Sequence, residues 1–376
     1  YCMTKSYVAV TFMSLVDEGR ASLEDRLDKY LPAFANMYVK GPNGKRARAK
    51  CPILLKHLLS HSSGIDYAPD PGVEIEDDGM AAYQALQKAA QRGSVRTLKE
   101  FVHRLSKLPL SCHPGCGYYY GYSLDVLAHV VEVIMGKRLD ECLRERLFDP
   151  LGMHDTIWAV PDAQLHRLAA IYGNATTWGH LYGGTKGQTP VTTKNGLIRF
   201  DGNRIEDSHW REGQQCAVLS GGGFMGYLYG GLVSTVADTA KFVKMLVDNG
   251  LAPSGHRILK ERTLALMEVD RLKPSWGSGR ACYIGNKGVF REGNEYGMGG
   301  AACTYWSIDR ADGVATVWFT QNVDFPEYED MVGVDGSKAD LWKVMHETVL
   351  KGRKAASGKR PGGARSGAAA KRVRGH

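Results

Sequence analysis

The chain has 376 residues, 43% hydrophobic and 23% charged, a globular composition with room for one large core or two lobes. No apolar run approaches the ~20 residues a spanning helix needs, which argues against an integral helical membrane protein. The net charge of +8 misleads: residues 351–376 hold nine Lys/Arg and no Asp/Glu, and removing them leaves 39 basic against 40 acidic side chains, a near-neutral body.

In chain order, residues 6–18 are apolar on all sides, as in a buried helix, and Gly19 is placed to stop it. Ser22 and Asp25 form a capping-box-like start to a second helix, with Leu23, Leu27, Tyr30 and Leu31 on one face and Pro32 as its end. Thr97 and Glu100 cap a third, which turns Leu98, Phe101, Val102 and Leu105 inward and closes at Pro109. Further helices are expected at about 124–135, 138–148, 235–248 and 339–350. Residues 160–220 read as loop-dominated. Strand signals come late, at 301–309 and 314–320, joined by a hairpin turn at Arg310-Ala311-Asp312-Gly313. This order implies an α+β fold. Residues 351–376, rich in glycine and alanine, are expected to be a disordered basic tail, a solvated appendage or a weak contact for an anionic partner. The eight scattered cysteines do not form the dense framework of a small secreted domain. They read as free thiols of a soluble protein, for which a reducing, cytoplasm-like compartment is the simplest setting.

Three patterns resemble chemistry without supplying its context. Residues 221–226 (GGGFMG) fit a dinucleotide loop, but no helix or suitably spaced acid follows, so a glycine-rich surface loop is expected. His57 and His61 have the spacing of zinc ligands but no glutamate between them, and are read as loop and packing residues. Cys112-His113-Pro114-Gly115-Cys116 has no second ligand pair, which favours a structural turn and no metal.

Cys2-Met3-Thr4-Lys5 sets a thiol and an amine at i and i+3 in the first turn of a helix. The ammonium and the helix dipole would both favour thiolate there. Taken alone, such a pair is far more often accidental than catalytic. The surrounding blocks change that. YCMTKSYVAVTFMSLVDEGRASLEDRLDKYLPAF, ILLKHLLSHSSGI, PGCGYYYGYSLDVLAHVVEVIMGKRLDECLRERLFDPLGMHDT, GGLVSTVADTAKFVKMLVDNG and YGMGGAACTYWSIDR run in order across about residues 1–350. Together they resemble the β-lactamase-related, penicillin-binding-protein-like serine hydrolases, in the class C β-lactamase and esterase branch.

The resemblance implies a β-lactamase/transpeptidase-like fold, with an antiparallel sheet flanked by helices. It implies a mainly helical lobe at about 51–209 and a sheet-bearing lobe from 1–50 and 210–350. Cys2 stands where the family has its nucleophilic serine, Lys5 matches the motif lysine, and Tyr120 matches the catalytic tyrosine, with Tyr122 as the fallback. Without the flanking match, Tyr120 would read as a core aromatic. Beside an ammonium it would serve as the base, because positive charge stabilises phenolate. Met298, Gly299 and Gly300 match the substrate-flanking strand, and the N–H groups of Cys2 and Ala301 would form the oxyanion hole. Met298 replaces a carboxylate-recognising lysine or histidine, which argues against β-lactam antibiotics and toward neutral ester, amide or acyl substrates. The mechanism needs no metal or organic cofactor. The helix and two strands that usually precede the nucleophile helix are not in this sequence, so either a fragment starting just upstream of that helix or a protein with a damaged sheet, its unpaired edge exposed, is expected. An inactive member that binds ligands in the cleft, or a nucleic-acid or membrane-surface binder acting through the tail, remains an alternative.

Overall fold

The computed structural model describes residues 1–41, 45–68, 78–174, 197–199, 206, 208–223, 230–271, 281–287, 295–323 and 347–352. Helix α1 (Thr4–Asp17) lies at the centre, and every side chain from Thr4 to Leu15 is buried. Its lack of a polar face is what permits burial on all sides. Gly19, at φ +74°, ends it. There the Gly19 N–H donates to Val16 O at 3.0 Å and the Arg20 N–H to Leu15 O at 3.0 Å.

The helix expected from Ser22 does not form. Ser22 N–H does donate to Asp25 Oδ2 at 2.9 Å, as a capping box would. However, the Leu27 N–H donates to Ile53 O at 2.8 Å, so the backbone is paired across the chain and not along a helix. Two short 3₁₀ turns, Leu27–Lys29 and Pro32–Phe34, take its place, and Pro32 opens the second.

A hairpin of β1 (Tyr38–Lys40) and β2 (Arg46–Arg48) leads to α2 (Leu55–Leu59), α3 (Asp78–Gln91) and α4 (Leu98–Leu105). Thr97 caps α4 as expected, its hydroxyl accepting from the Glu100 N–H at 3.1 Å. Helix α5 (Ser123–Met135) packs on α1 and stops at Gly136. The helix expected over 138–148 is broken into α6 (Leu139–Leu143) and a π-type turn (Arg144–Phe148), followed by α7 (Asp149–Leu151). A small pair, β3 (Tyr172–Asn174) and β4 (Leu197–Arg199), precedes α8 (Val236–Val247) and α9 (Glu261–Met267). Thr235 caps α8 by accepting from the Asp238 N–H at 3.1 Å.

An antiparallel five-stranded meander follows, in the order β5 (Ala281–Cys282), β6 (Gly285–Lys287), β7 (Tyr296–Gly300), β8 (Thr304–Asp309), β9 (Val314–Phe319). The strand expected over 301–309 starts only at Thr304, because 301–303 is the tight turn after β7. Cys303 takes φ 56° there and donates its N–H to Gly300 O at 2.9 Å. The expected turn between β8 and β9 is present: Asp309 Oδ1 accepts from the N–H groups of Ala311 and Asp312 at 2.9 and 3.1 Å, and Gly313 takes φ 60°. Strand β9 lies at the end of the sheet, with no further strand partner among the described residues. Of the helix expected at 339–350, residues 347–350 are helical, and the rest lies outside the described residues, as does the tail from 353 onward.

Aromatic contacts join the layers. The Tyr7 ring of α1 meets Phe242 of α8 edge-on at 4.7 Å, and Phe242 meets Trp306 of β8 at 5.8 Å. This packing fixes the first turn of α1 between α5 and the end of β7.

Candidate active site

Burying an ammonium is costly unless its donors are satisfied. Lys5 is 4% exposed. Its Nζ donates to Tyr67 Oη at 2.9 Å and to the Gly222 carbonyl at 2.5 Å, and its charge acts on the Cys2 thiol. It also lies 4.5 Å from the centre of the Tyr120 ring, in cation–π range.

Cys2 sits in the turn just before α1, where Thr4 N–H donates to Tyr1 O at 2.9 Å and Lys5 N–H to Cys2 O at 3.0 Å. Burial pushes its thiol up, but the Lys5 charge and a hydrogen bond from Tyr120 outweigh burial and leave it below the ordinary thiol value. The two phenols move the other way. Tyr120 and Tyr67 are pushed well above the usual phenol range, first by burial and then by the negative sulfur. The shifts therefore run in opposite directions, the Cys2 thiol downward and the Tyr120 phenol upward.

Tyr120 is delivered by a chain segment laid against the loop after α2. Ser111 N–H donates to Gly64 O at 2.7 Å, Gly115 N–H to Ser62 O at 2.7 Å, and Tyr119 N–H to His61 O at 2.8 Å. Gly64 is required at φ +83°, and a Cβ there would lie 2.4 Å from Cys112 O. The His61 ring, tilted 35° and 4.5 Å away, backs Tyr120. Burial and the Lys5 charge push that imidazole well below its usual range. His57 accepts from the Leu54 N–H at 3.2 Å and is held down to about 4, chiefly by burial. The Cys112–Cys116 segment is a turn, with Cys116 N–H donating to His113 O at 3.0 Å. None of the eight cysteines is disulfide-bonded.

Tyr122 does not join this group. It is fully buried, edge-on to Tyr67 at 4.6 Å and to Phe101 at 5.1 Å. Met298, 3% exposed, lines a small cavity with Lys5, His61 and Tyr120. The Tyr305 ring covers Gly299, where a Cβ would lie 2.2 Å from it. A Cβ on Gly300 would lie 3.7 Å from the Cys2 nitrogen, so the end of β7 abuts the first turn of α1. Neither the Cys2 nor the Ala301 N–H has a hydrogen-bond partner among the described residues.

A model of one known family, Beta-lactamase, matches residues 1–333. The chain belongs to the Beta-lactamase family. Among this family's proteins, it is 30% identical over 274 residues to Protein Rv1367c of Mycobacterium tuberculosis, covering 72% of this chain and 58% of that one. Penicillin-binding protein 4 of Amycolatopsis lactamdurans is 28% identical, over 85% of this chain and 70% of that protein. Esterase EstB of Burkholderia gladioli is 25% identical, over 88% and 78%. The chain thus spans less than two thirds of the length of its Mycobacterium relative. Among solved structures, EstCE1, described as a hydrolase with promiscuous acyltransferase activity, superposes with a TM-score of 0.61 at 20% identity, over 87% of this chain and 81% of that one. Simvastatin synthase LovD of Aspergillus terreus gives 0.60 at 20%, over 85% and 77%. The fold is the β-lactamase/transpeptidase-like α+β fold.

Tyr67 and Asp125 were not singled out by sequence reasoning, and glycines 221–223 were given a different role. Tyr67 lies just beyond the HSSG block, with no spacing rule to link it to Lys5. Glycines 221–223 are buried, and the surface-loop expectation fails for them because they press on α5 and on the start of the chain. A Cβ on Gly221 would lie 2.3 Å from Ala128 Cβ, and one on Gly223 2.0 Å from Tyr1 O. Three successive glycines are the available signal for such close backbone approach. Phe224, Met225 and Gly226 lie outside the described residues. Asp125 lies within the PGCGYYYGYSLDVLAHVV block, with no spacing rule to link it to Lys5.

Proposed function

We propose that this protein is a hydrolase or acyltransferase that forms a covalent acyl-thioester on Cys2 with a neutral ester or amide substrate. The observation that carries the reading is the buried Lys5 ammonium, which donates to the Tyr67 hydroxyl and the Gly222 carbonyl. Its charge and the Tyr120 hydroxyl both favour thiolate on Cys2. A thiolate–ammonium pair is already nucleophilic and needs no base to activate it.

The proton inventory orders the steps. The Cys2 thiolate attacks the acyl carbon, and the N–H groups of Cys2 and Ala301 receive the developing oxyanion. As the tetrahedral adduct collapses, the bond to the leaving oxygen or nitrogen breaks, and Tyr120 gives that atom its proton. The Tyr120 phenolate, stabilised by Lys5, then takes a proton from water or an acceptor alcohol as that oxygen attacks the thioester. Thiolate leaves, and the site returns to its starting state. Tyr120 thus acts first as acid and then as base. A buried methionine at position 298 offers no charge to a substrate carboxylate, which favours neutral substrates. Relatives named as esterases and acyltransferases support the same class.

Steady-state hydrolysis of p-nitrophenyl acetate and butyrate tests this reading. Cys2→Ala and Lys5→Met are expected to lose activity by about 10³-fold or more. Activity in Cys2→Ala equal to that of the parent protein would reject it.

A further inference from the structure

We propose that Asp125 is a positioning residue that holds Lys5 beside the Cys2 sulfur by way of the Gly222 backbone. This rests on the reading of Cys2 and Lys5 as the nucleophilic pair. Asp125, in the first turn of α5, is 0% exposed. A side chain there for packing alone would be apolar, because a buried carboxylate is costly. Its Oδ1 accepts from Ser220 Oγ at 2.7 Å. Its Oδ2 has no full hydrogen bond and lies against the Gly222 peptide, whose N–H favours the carboxylate. A Cβ on Gly222 would sit 2.3 Å from that oxygen, so only glycine lets the peptide lie flat on it. The carbonyl of Gly222 is the one that accepts from Lys5 Nζ. Carboxylate, Gly222 backbone and ammonium therefore form a chain in which the two charges hold the two peptide groups that meet at the Gly222 Cα, the N–H turned toward Asp125 and the C=O toward Lys5. Burial raises Asp125 to about 6, while Ser220, Gly222 and Lys5 all act to keep it ionised.

The groups facing this chain of contacts are known from each side. Lys5 comes from α1, Tyr67 from the loop after α2, and Tyr122 from the N-cap of α5 itself. Cys2 also faces Tyr118 and Tyr120, and His61 faces Lys5. Tyr67, Tyr118, Tyr120 and Tyr122 are all raised, so none of these phenols ionises in a titration from pH 5 to 9.

The test is the pH profile of Cys2 alkylation by iodoacetamide in the full chain, read by peptide mass, with exposed Cys51 as internal reference. Asp125→Asn keeps an acceptor for Ser220 but loses the charge. It is expected to slow Cys2 alkylation at neutral pH about tenfold, to move the profile midpoint upward, and to lower kcat with KM unchanged, leaving Cys51 as before. Ser220→Ala is expected to act in the same direction by about threefold. A merely structural role would lower rates without moving the midpoint. An unmoved midpoint in Asp125→Asn, or in Ser220→Ala should the first variant fail to fold, overturns the proposal. If Cys2 of the parent protein reacts no faster than Cys51 at neutral pH, the thiolate reading itself has failed, which is a different result.

Discussion

Loops 60–67 and 111–120 each carry a phenol to Lys5, yet only the first is built into the core. Residues 60–65 are all buried, whereas of 111–120 only Pro114 is. The buried loop offers Lys5 a hydroxyl oxygen, that of Tyr67. The outer one offers the face of the Tyr120 ring and turns its hydroxyl to the sulfur. The difference separates two tasks: an acceptor that fixes an ammonium is best held rigidly, and a hydroxyl that exchanges protons with substrate must reach the open side.

Removing each phenol in turn should separate those tasks. Tyr120→Phe is expected to lower kcat for ester hydrolysis by about 10²- to 10³-fold, because the leaving group loses its proton donor. A loss below fivefold would remove Tyr120 from the scheme.

Breaking the joint between the loops comes next in size. Gly64→Ala forces a positive φ on alanine and a Cβ onto the Cys112 carbonyl, so a loss of about 2–4 kcal/mol is expected in chemical denaturation. An unchanged denaturation midpoint would mean that the two loops are not packed as described.

His61, on the first loop and packed against Tyr120 of the second, gives their union a pH dependence. Its folded-state value is lowered, so the unfolded chain binds the proton more readily and stability falls as pH drops below about 6.5. Between pH 7.5 and 5 the parent protein should lose about 2 kcal/mol relative to His61→Asn, measured by urea unfolding at each pH. Parallel stability curves would show that His61 is not buried neutral.

Tyr67→Phe should have the smallest effect, about tenfold in kcat with KM unchanged, because Lys5 keeps its Gly222 contact and its charge still favours thiolate on Cys2. A larger loss than in Tyr120→Phe would reverse the roles assigned to the two phenols.

Much of this arrangement was legible locally. A helix apolar on all sides declares itself central, and the Thr97 and Thr235 caps and the Asp309–Gly313 turn use side chains within four residues of the backbone they bind. The helix expected at Ser22 misled because its backbone pairs with residues 53–56, the Leu27 N–H donating to Ile53 O while Asp25 O and Leu23 O accept from Leu55 and Lys56, a partnership no local pattern encodes. The same holds for the site. Cys2 and Lys5 share one turn and could be read together. Tyr67 and Gly222 reach Lys5 across 62 and 217 residues, and Asp125 reaches it only through the Gly222 backbone. A motif read along the chain lacks such contacts until the fold supplies them.

The most direct test is to mix the protein with p-nitrophenyl butyrate, quench in acid within the first turnovers, and map the acyl group by peptide mass. A butyryl increment on Cys2 that neutral hydroxylamine removes is the expected result. An increment on another residue, or turnover with Cys2 unmodified throughout, would contradict the thioester mechanism.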